Sequence, residues 1–344
     1  MARQKFILSI DGGGIRGLIP ALVLVELEKR LRAAGKSEPL YRYFDLIAGT
    51  STGGIIAAGL ACPKPEPEIT NQPACSPADL VELYENEGAD IFDPTFFGKL
   101  RRNLLNPFGL FAAVYSAAPL EAKLRKRLGT RKISEAMTSL VLTAYDIENR
   151  RAVFITNGPQ STNKPQPDYL AWEAARATSA APTFFQPALI QNLTTEKRDA
   201  LIDGGVFAND PAMAAVIEAR KHGWADDSLF IVSLGTGQNI RPIRYREARH
   251  WGVASWISPA RGTPIISILM QGQASTVSYQ LNVLYGASPS NRYIKFDARL
   301  DIASDDLDDA SAQNLTNLRN EAKRIIELQS AALDRIVQLL TPRE

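Results

Sequence analysis

Ser51 sits between two glycines in Gly49-Thr50-Ser51-Thr52-Gly53, directly after the apolar run Phe44-Asp45-Leu46-Ile47-Ala48 and directly before the helix-forming Ile55-Ile56-Ala57-Ala58-Gly59-Leu60. A serine between glycines at a strand-to-helix junction reads as a nucleophile elbow. Gly49 and Gly53 let the chain bend sharply and keep bulk away, so the hydroxyl stands clear at the carboxyl end of the strand. The chemistry open to such a serine is attack on a carbonyl. A second cluster, Asp11-Gly12-Gly13-Gly14-Ile15-Arg16-Gly17, follows the short apolar strand Lys5 to Ile10. Backbone N–H groups of Gly12, Gly13 and Gly14 ahead of a helix would be bare and convergent, a site for a phosphate or a developing oxyanion.

Gly12, Gly14 and Gly17 also satisfy G-x-G-x-x-G, but a dinucleotide site needs an acidic residue about 20 positions on, at the end of the next strand. Glu26 and Glu28 fall too early, inside a helix predicted over Leu18 to Leu31, and Glu38 lies in a Ser-Glu-Pro loop. The next strand ends instead in Ser51. An activated serine needs a base, and the sequence has only two histidines, His222 and His250. The first precedes Gly223 at an expected helix end and the second lies in a charged stretch, so both read as surface residues. The better candidate is Asp203, which ends the apolar run before Gly204 and Gly205. An ordinary Asp, with a pKa near ~3.9, is a weak base, but burial in a dry pocket raises it. Asp-Gly is also a common turn signal; together with Ser51 and the glycine loop, the base is the favoured reading.

These three blocks, in this order, resemble the patatin-like phospholipase family, and Ala174 to Pro182 and Ser233-Leu234-Gly235-Thr236-Gly237 are similar to further stretches common in it. The likeness covers roughly residues 5 to 240. One departure is Asn209-Asp210-Pro211, where many relatives read Asn-Asn-Pro. The resemblance implies a Ser-Asp dyad without histidine acting on acyl esters of membrane lipids: Ser51 the nucleophile, Asp203 the proton acceptor, Gly12, Gly13 and Gly14 the oxyanion hole. Arg16 and Gly17 complete the loop motif, with Arg16 either steering a lipid phosphate or holding the loop through an ion pair. The layout is also similar to bacterial members that act in antiviral defence, which makes a cyclic nucleotide an expected activator. Acyl transfer to an acceptor other than water, and a catalytically silent lipid-binding scaffold, are the alternatives.

The elements that must position these residues read as one three-layer α/β/α fold with a mainly parallel sheet. Residues 5–240 form the expected catalytic core, and 241–344 a carboxyl-terminal part packed on it, with a regulatory role in view. Leu140 to Tyr145 and Ala152 to Thr156 read as adjacent strands, Leu229 to Leu234 as a buried strand, and Ile325 to Leu340 as one final helix opened by the acidic stretch Asp301 to Asp309. That stretch lacks the alternating ligands of a calcium loop, and no metal or cofactor is expected. With 39 basic and 37 acidic residues the chain has no nucleic-acid footprint. The short charged amino terminus gives no reason to expect a signal peptide, and no apolar run reaches the ~18 residues of a transmembrane span. A cytoplasmic protein touching membranes from outside is the expectation, with Cys62 and Cys75 free thiols. The expected lipid-handling segments are Lys99 to Phe111 and the basic cluster from Lys123 to Lys132.

Overall fold

The side chains of β1 (Lys5–Ile10) alternate between two cores, Phe6, Leu8 and Ile10 entering one and Ile7 the other. A strand buried on both faces needs helices on both sides of its sheet. The computed structural model describes residues 3–65, 71–92, 113–159, 166–238, 241–258, 263–287 and 290–343. Along the chain, β1 is followed by α1 (Leu18–Ala33), β2 (Leu46–Gly49), α2 (Thr52–Ala61), α3 (Pro77–Asn86), α4 (Gly88–Phe92), α5 (Ala118–Leu128), β3 (Ser139–Asp146), β4 (Arg151–Thr156) and α6 (Ala171–Thr178). Then come β5 (Ala188–Gln191), β6 (Arg198–Asp203), α7 (Gly205–Ala208), α8 (Ala212–Lys221), β7 (Leu229–Leu234), α9 (Tyr245–Ala248), α10 (Val253–Trp256), α11 (Pro264–Tyr285), β8 (Tyr293–Phe296), α12 (Ala312–Leu328) and α13 (Ser330–Leu339).

The described strands form one sheet in the order β5-β6-β3-β2-β1-β7-β8, with β4 on β3 outside that path. From β3 to β8 the pairings are parallel, while those of β4, β5 and β6 are antiparallel. Helices α1, α2, α12 and α13 cover one face, and α8 and α11 close the other over Ile7, Leu46, Val141 and Ile231. This is the expected three-layer arrangement. Strands β3 and β4 form the expected adjacent pair, the turn between them held by Asp146, which accepts the N–H groups of Glu148 and Asn149.

The carboxyl terminus departs from expectation twice. The final helix is broken at Gln329 into α12 and α13. At the break, Arg30 donates to the Ser330 carbonyl and hydroxyl, and Gln329 to the Lys295 carbonyl. The acidic stretch does not open a helix: α12 starts at Ala312 behind Ser311, whose hydroxyl accepts the Asn314 N–H. Asp305 and Asp306 pair instead with Arg241, and Asp308 accepts the Tyr115 hydroxyl at 2.7 Å.

Candidate active site

Strand β3 brings the Ser51 and Asp203 turns together. Its one edge is taken by β4 along Val141–Asp146, so β2 and β6 share the other edge end to end, Gly49 opposite Leu142 and Asp203 opposite Ala144. The carboxyl ends of two oppositely directed strands therefore meet across Thr143. Thr143 Oγ1 lies 2.7 Å from Thr50 Oγ1, and Thr50 Oγ1 donates to the Ala208 carbonyl at 2.6 Å, tying the elbow to the turn beyond Asp203.

At the elbow, Ser51 has φ 56° and ψ −124°, a strained left-handed conformation for a side-chain-bearing residue. Its N–H donates to Thr178 Oγ1 at 3.0 Å. The turn is tight enough that a Cβ on Gly53 would collide with the Ile10 carbonyl, which accounts for the glycine there. Asp203 is 2% exposed. Its Oδ1 accepts the Gly205 N–H at 2.7 Å, while Oδ2 has no hydrogen-bond partner among the described residues. Burial pushes the carboxyl up to about 7, against smaller opposing pulls from the Ser51 hydroxyl, the Gly205 N–H and Arg176. The serine is thus close enough to favour the carboxylate without forming a well-aligned hydrogen bond.

In the glycine loop, the Gly12 N–H donates to the Asn209 carbonyl at 3.0 Å and the Gly12 carbonyl accepts Thr236 Oγ1 at 2.8 Å. The Gly12 N–H is therefore committed, whereas no backbone acceptor is found among the described residues for the N–H groups of Gly13 and Gly14. Gly14 has φ 59° and packs against the Leu307 carbonyl, which accepts the Ile15 N–H at 2.9 Å. Arg16 is buried and donates to the carbonyls of Gly13 and Gly237, both at 3.3 Å. These bonds tie its guanidinium to the backbone of two loops. Behind the loop lies a buried trio that no local pattern signals. Lys295 on β8 donates to Asp11 at 2.8 Å and to Asp210 at 2.7 Å. Burial and the neighbouring Asp210 push the Asp11 carboxyl up; burial opposes the charge on Lys295, but Asp11 and Asp210 outweigh it and hold the ammonium protonated. Thr143, Thr178, Asn209 and Thr236 are likewise positioning residues outside the predicted set, although Thr178 and Thr236 lie in the family-like stretches.

Ser51 and Asp203 open into a narrow cavity of about 60 Å³ lined by Ile55, Leu83, Phe184, Phe185, Ile266 and Met270. The lining is almost wholly apolar, the environment that raises a buried carboxyl. Neither histidine reaches it. His222 bonds Ser139 at 3.1 Å, and Ser139 pairs with Leu46 at the start of β2, the opposite end of the sheet from Ser51. His250 is exposed beside Arg249. Most of the basic cluster is used within the protein: Lys123 and Arg127 pair with Glu87, Arg131 with Glu135, and Arg125 stacks 3.9 Å from Trp172. Of the other expected segment, residues 93–112 lie outside the described residues, Lys99 to Phe111 included. Cys62 and Cys75 are free and buried, burial pushing both thiols up to about 12.

The sequence profile of the patatin-like phospholipase domain matches residues 8–216. Patatin-like protein 1 of Arabidopsis thaliana is 32% identical over 343 residues, spanning 93% of this chain and 81% of its own length. A Solanum tuberosum protein named probable inactive patatin-3-Kuras 1 is 29% identical, spanning 98% of this chain and 93% of its own. Among solved structures, VipD from Legionella pneumophila aligns with a TM-score of 0.42 at 12% identity, over 95% of this chain and 67% of that one. By its profile match and its similarity to curated relatives along most of its length, the chain belongs to the patatin-like phospholipase family, whose members are lipid acyl hydrolases acting on carboxylic esters.

Proposed function

We propose that the chain releases fatty acids from membrane phospholipids or glycolipids by a two-step displacement in which Ser51 is the nucleophile and Asp203 the base. Asp203 takes the hydroxyl proton as Ser51 Oγ attacks the ester carbonyl, and the oxyanion forms toward the Gly13 and Gly14 N–H groups. Each preorganised donor of this kind is worth about 2.7–4 kcal/mol. The proton passes from Asp203 to the departing alcohol oxygen, leaving acyl-Ser51. Water, deprotonated by Asp203, then attacks the acyl carbonyl; Ser51 Oγ leaves with that proton and the free acid departs. The observation that carries this reading is the unpartnered, burial-raised Asp203 oxygen beside a strained serine in an apolar cavity.

The test is to label the purified protein with a fluorophosphonate probe, map the adduct, and identify by mass spectrometry the acids and lysolipids released from a mixed lipid extract. Ser51 carries the adduct and Ser51→Ala abolishes both signals. A reactive Ser51 that moves acyl groups only to an added alcohol or lysolipid would favour the transferase alternative, and an unreactive Ser51 the silent scaffold. An activator is tested by adding a panel of cyclic nucleotides. The large groove of about 1120 Å³ behind the glycine loop gives that expectation no electrostatic support. Its described lining carries Asp11, Glu247, Asp297, Asp305, Asp306 and Asp308 against Arg16, Arg241 and Lys295. The reaction is assigned to the cytoplasmic face of membranes; no described helix is long and apolar enough to cross one.

A further inference from the structure

Helix α11 is 22 residues long and contains no Asp, Glu, Lys, Arg or His. Its inner stripe, with Val277, Leu281 and Tyr285, packs on the core, and Ile266 and Met270 on the same side line the Ser51 cavity. Its outer stripe, Ile265, Ile268, Leu269, Tyr279 and Val283 at helical spacing, faces out, Leu269 being 52% and Val283 63% exposed. Val253 and Ile257 in the preceding segment are exposed as well, so ten of the sixteen exposed large apolar side chains among the described residues fall within residues 243–284. Concentration of this degree marks an interaction surface rather than the usual scatter.

We infer that α11, with the segment from Ile243 to Ile257, is the face by which this protein lies on an anionic lipid bilayer. The inference rests on the proposed lipid hydrolysis and adds to it the surface that docks. Three observations favour a bilayer over a second copy of the chain. The fringe carries Tyr245, Trp251 and Trp256, side chains suited to the headgroup level. Within residues 243–257 it also carries the exposed Arg244, Arg246 and Arg249 against Glu247, charges that attract anionic headgroups, while of the acidic residues in the adjoining groove Asp305 and Asp306 are paired with Arg241 and Asp308 holds the Tyr115 hydroxyl. Finally, Ile266 and Met270 on the inner side of the same helix wall the Ser51 cavity, so a bilayer on the outer stripe would lie about one helix diameter, ~10 Å, from that cavity.

The test uses the full chain carrying Ser51→Ala, so that vesicles stay intact. Because both native cysteines are buried, Leu269→Cys accepts an environment-sensitive fluorophore selectively, with the still more exposed Leu328→Cys on α12 as control. With vesicles of equal phosphatidylcholine and phosphatidylglycerol, the label at 269 is expected to shift blue and be quenched by brominated acyl chains, while that at 328 is not. Ile268→Asp with Leu269→Asp is expected to weaken vesicle co-sedimentation by about tenfold or more, and added salt to weaken it further. No shift at 269 in the presence of vesicles overturns the inference even if the double variant does not fold. A shift that depends on protein concentration without vesicles overturns it in favour of self-association. Hydrolysis of a water-soluble short-chain ester by the unmodified protein is scored separately. Docking without esterase activity would sink the hydrolase reading alone, and esterase activity without docking would sink only this inference.

Discussion

The burial that suits Asp203 to the proposed role of base costs stability whenever that residue ionises. Its carboxyl titrates near 7, so kcat/KM should rise with pH along a limb centred there, as the carboxylate forms. Asp203→Asn should remove the limb together with at least about a thousandfold of the activity. His222→Ala and His250→Ala should leave the limb in place; its loss in either variant would mean that a histidine is the base after all. The linkage has a definite sign. Between about pH 4 and 7 the folded state keeps a proton on Asp203 that the unfolded chain has released, so this group's contribution to stability falls as pH rises through that window and stays low above it. Asp203→Asn cannot ionise. It should therefore be more stable than the parent at pH 8, by up to about 4 kcal/mol, with the difference shrinking toward pH 4. Urea titrations at the two pH values measure this, and a difference that grows toward acid would contradict the assigned environment.

Among the elements, what was legible in the sequence was what is local. The elbow is a five-residue pattern on a strand-to-helix turn, and the glycine loop and Asp203-Gly204 carry their own punctuation, so Ser51, Asp203 and the loop could be named before any contact was known. The end-to-end seating of β2 and β6 on β3, which makes the two residues neighbours, depends on register between distant segments and left no mark. Nor did the commitment of the Gly12 N–H to Asn209, or the break at Gln329, where helix periodicity runs on but Arg30 captures Ser330. The Asp11–Lys295–Asp210 trio is the clearest case, since its members lie 284 and 85 positions apart. It joins the start of the glycine loop, the turn beyond Asp203 and strand β8. Lys295→Met should leave two buried carboxyls without their cation and destabilise the protein by about 3–5 kcal/mol, read by chemical denaturation. Adding Asp210→Asn, which restores the Asn-Asn-Pro of many relatives, should recover part of that loss. Equal instability of the single and double variants would show that the charges are not its source.

At the scale of the whole molecule, the family profile ends at residue 216, yet the site is finished by chain that lies beyond it. Thr236 holds the Gly12 carbonyl, Lys295 reaches Asp11 from β8, the Leu307 carbonyl packs on Gly14, and Ile266 and Met270 wall the cavity. Strand β8 covers the edge of β7, and α12 and α13 bury Leu318, Ile325, Leu333 and Ile336 in the larger core. With Phe296 these are five large apolar side chains. At about 1.5–3 kcal/mol each their burial is worth roughly 10 kcal/mol, which is the size of a typical protein's entire stability, about 5–15 kcal/mol. A chain ending at residue 240 should therefore have no cooperative thermal unfolding transition and should not react with a fluorophosphonate at Ser51, even though it keeps Ser51, Asp203 and the glycine loop. Circular dichroism melting and probe labelling of the truncated and full chains decide the matter. A truncated chain that melts cooperatively and labels at the full-length rate would show that residues 241–344 are an appendage to the core, and would leave regulation as the role expected of them.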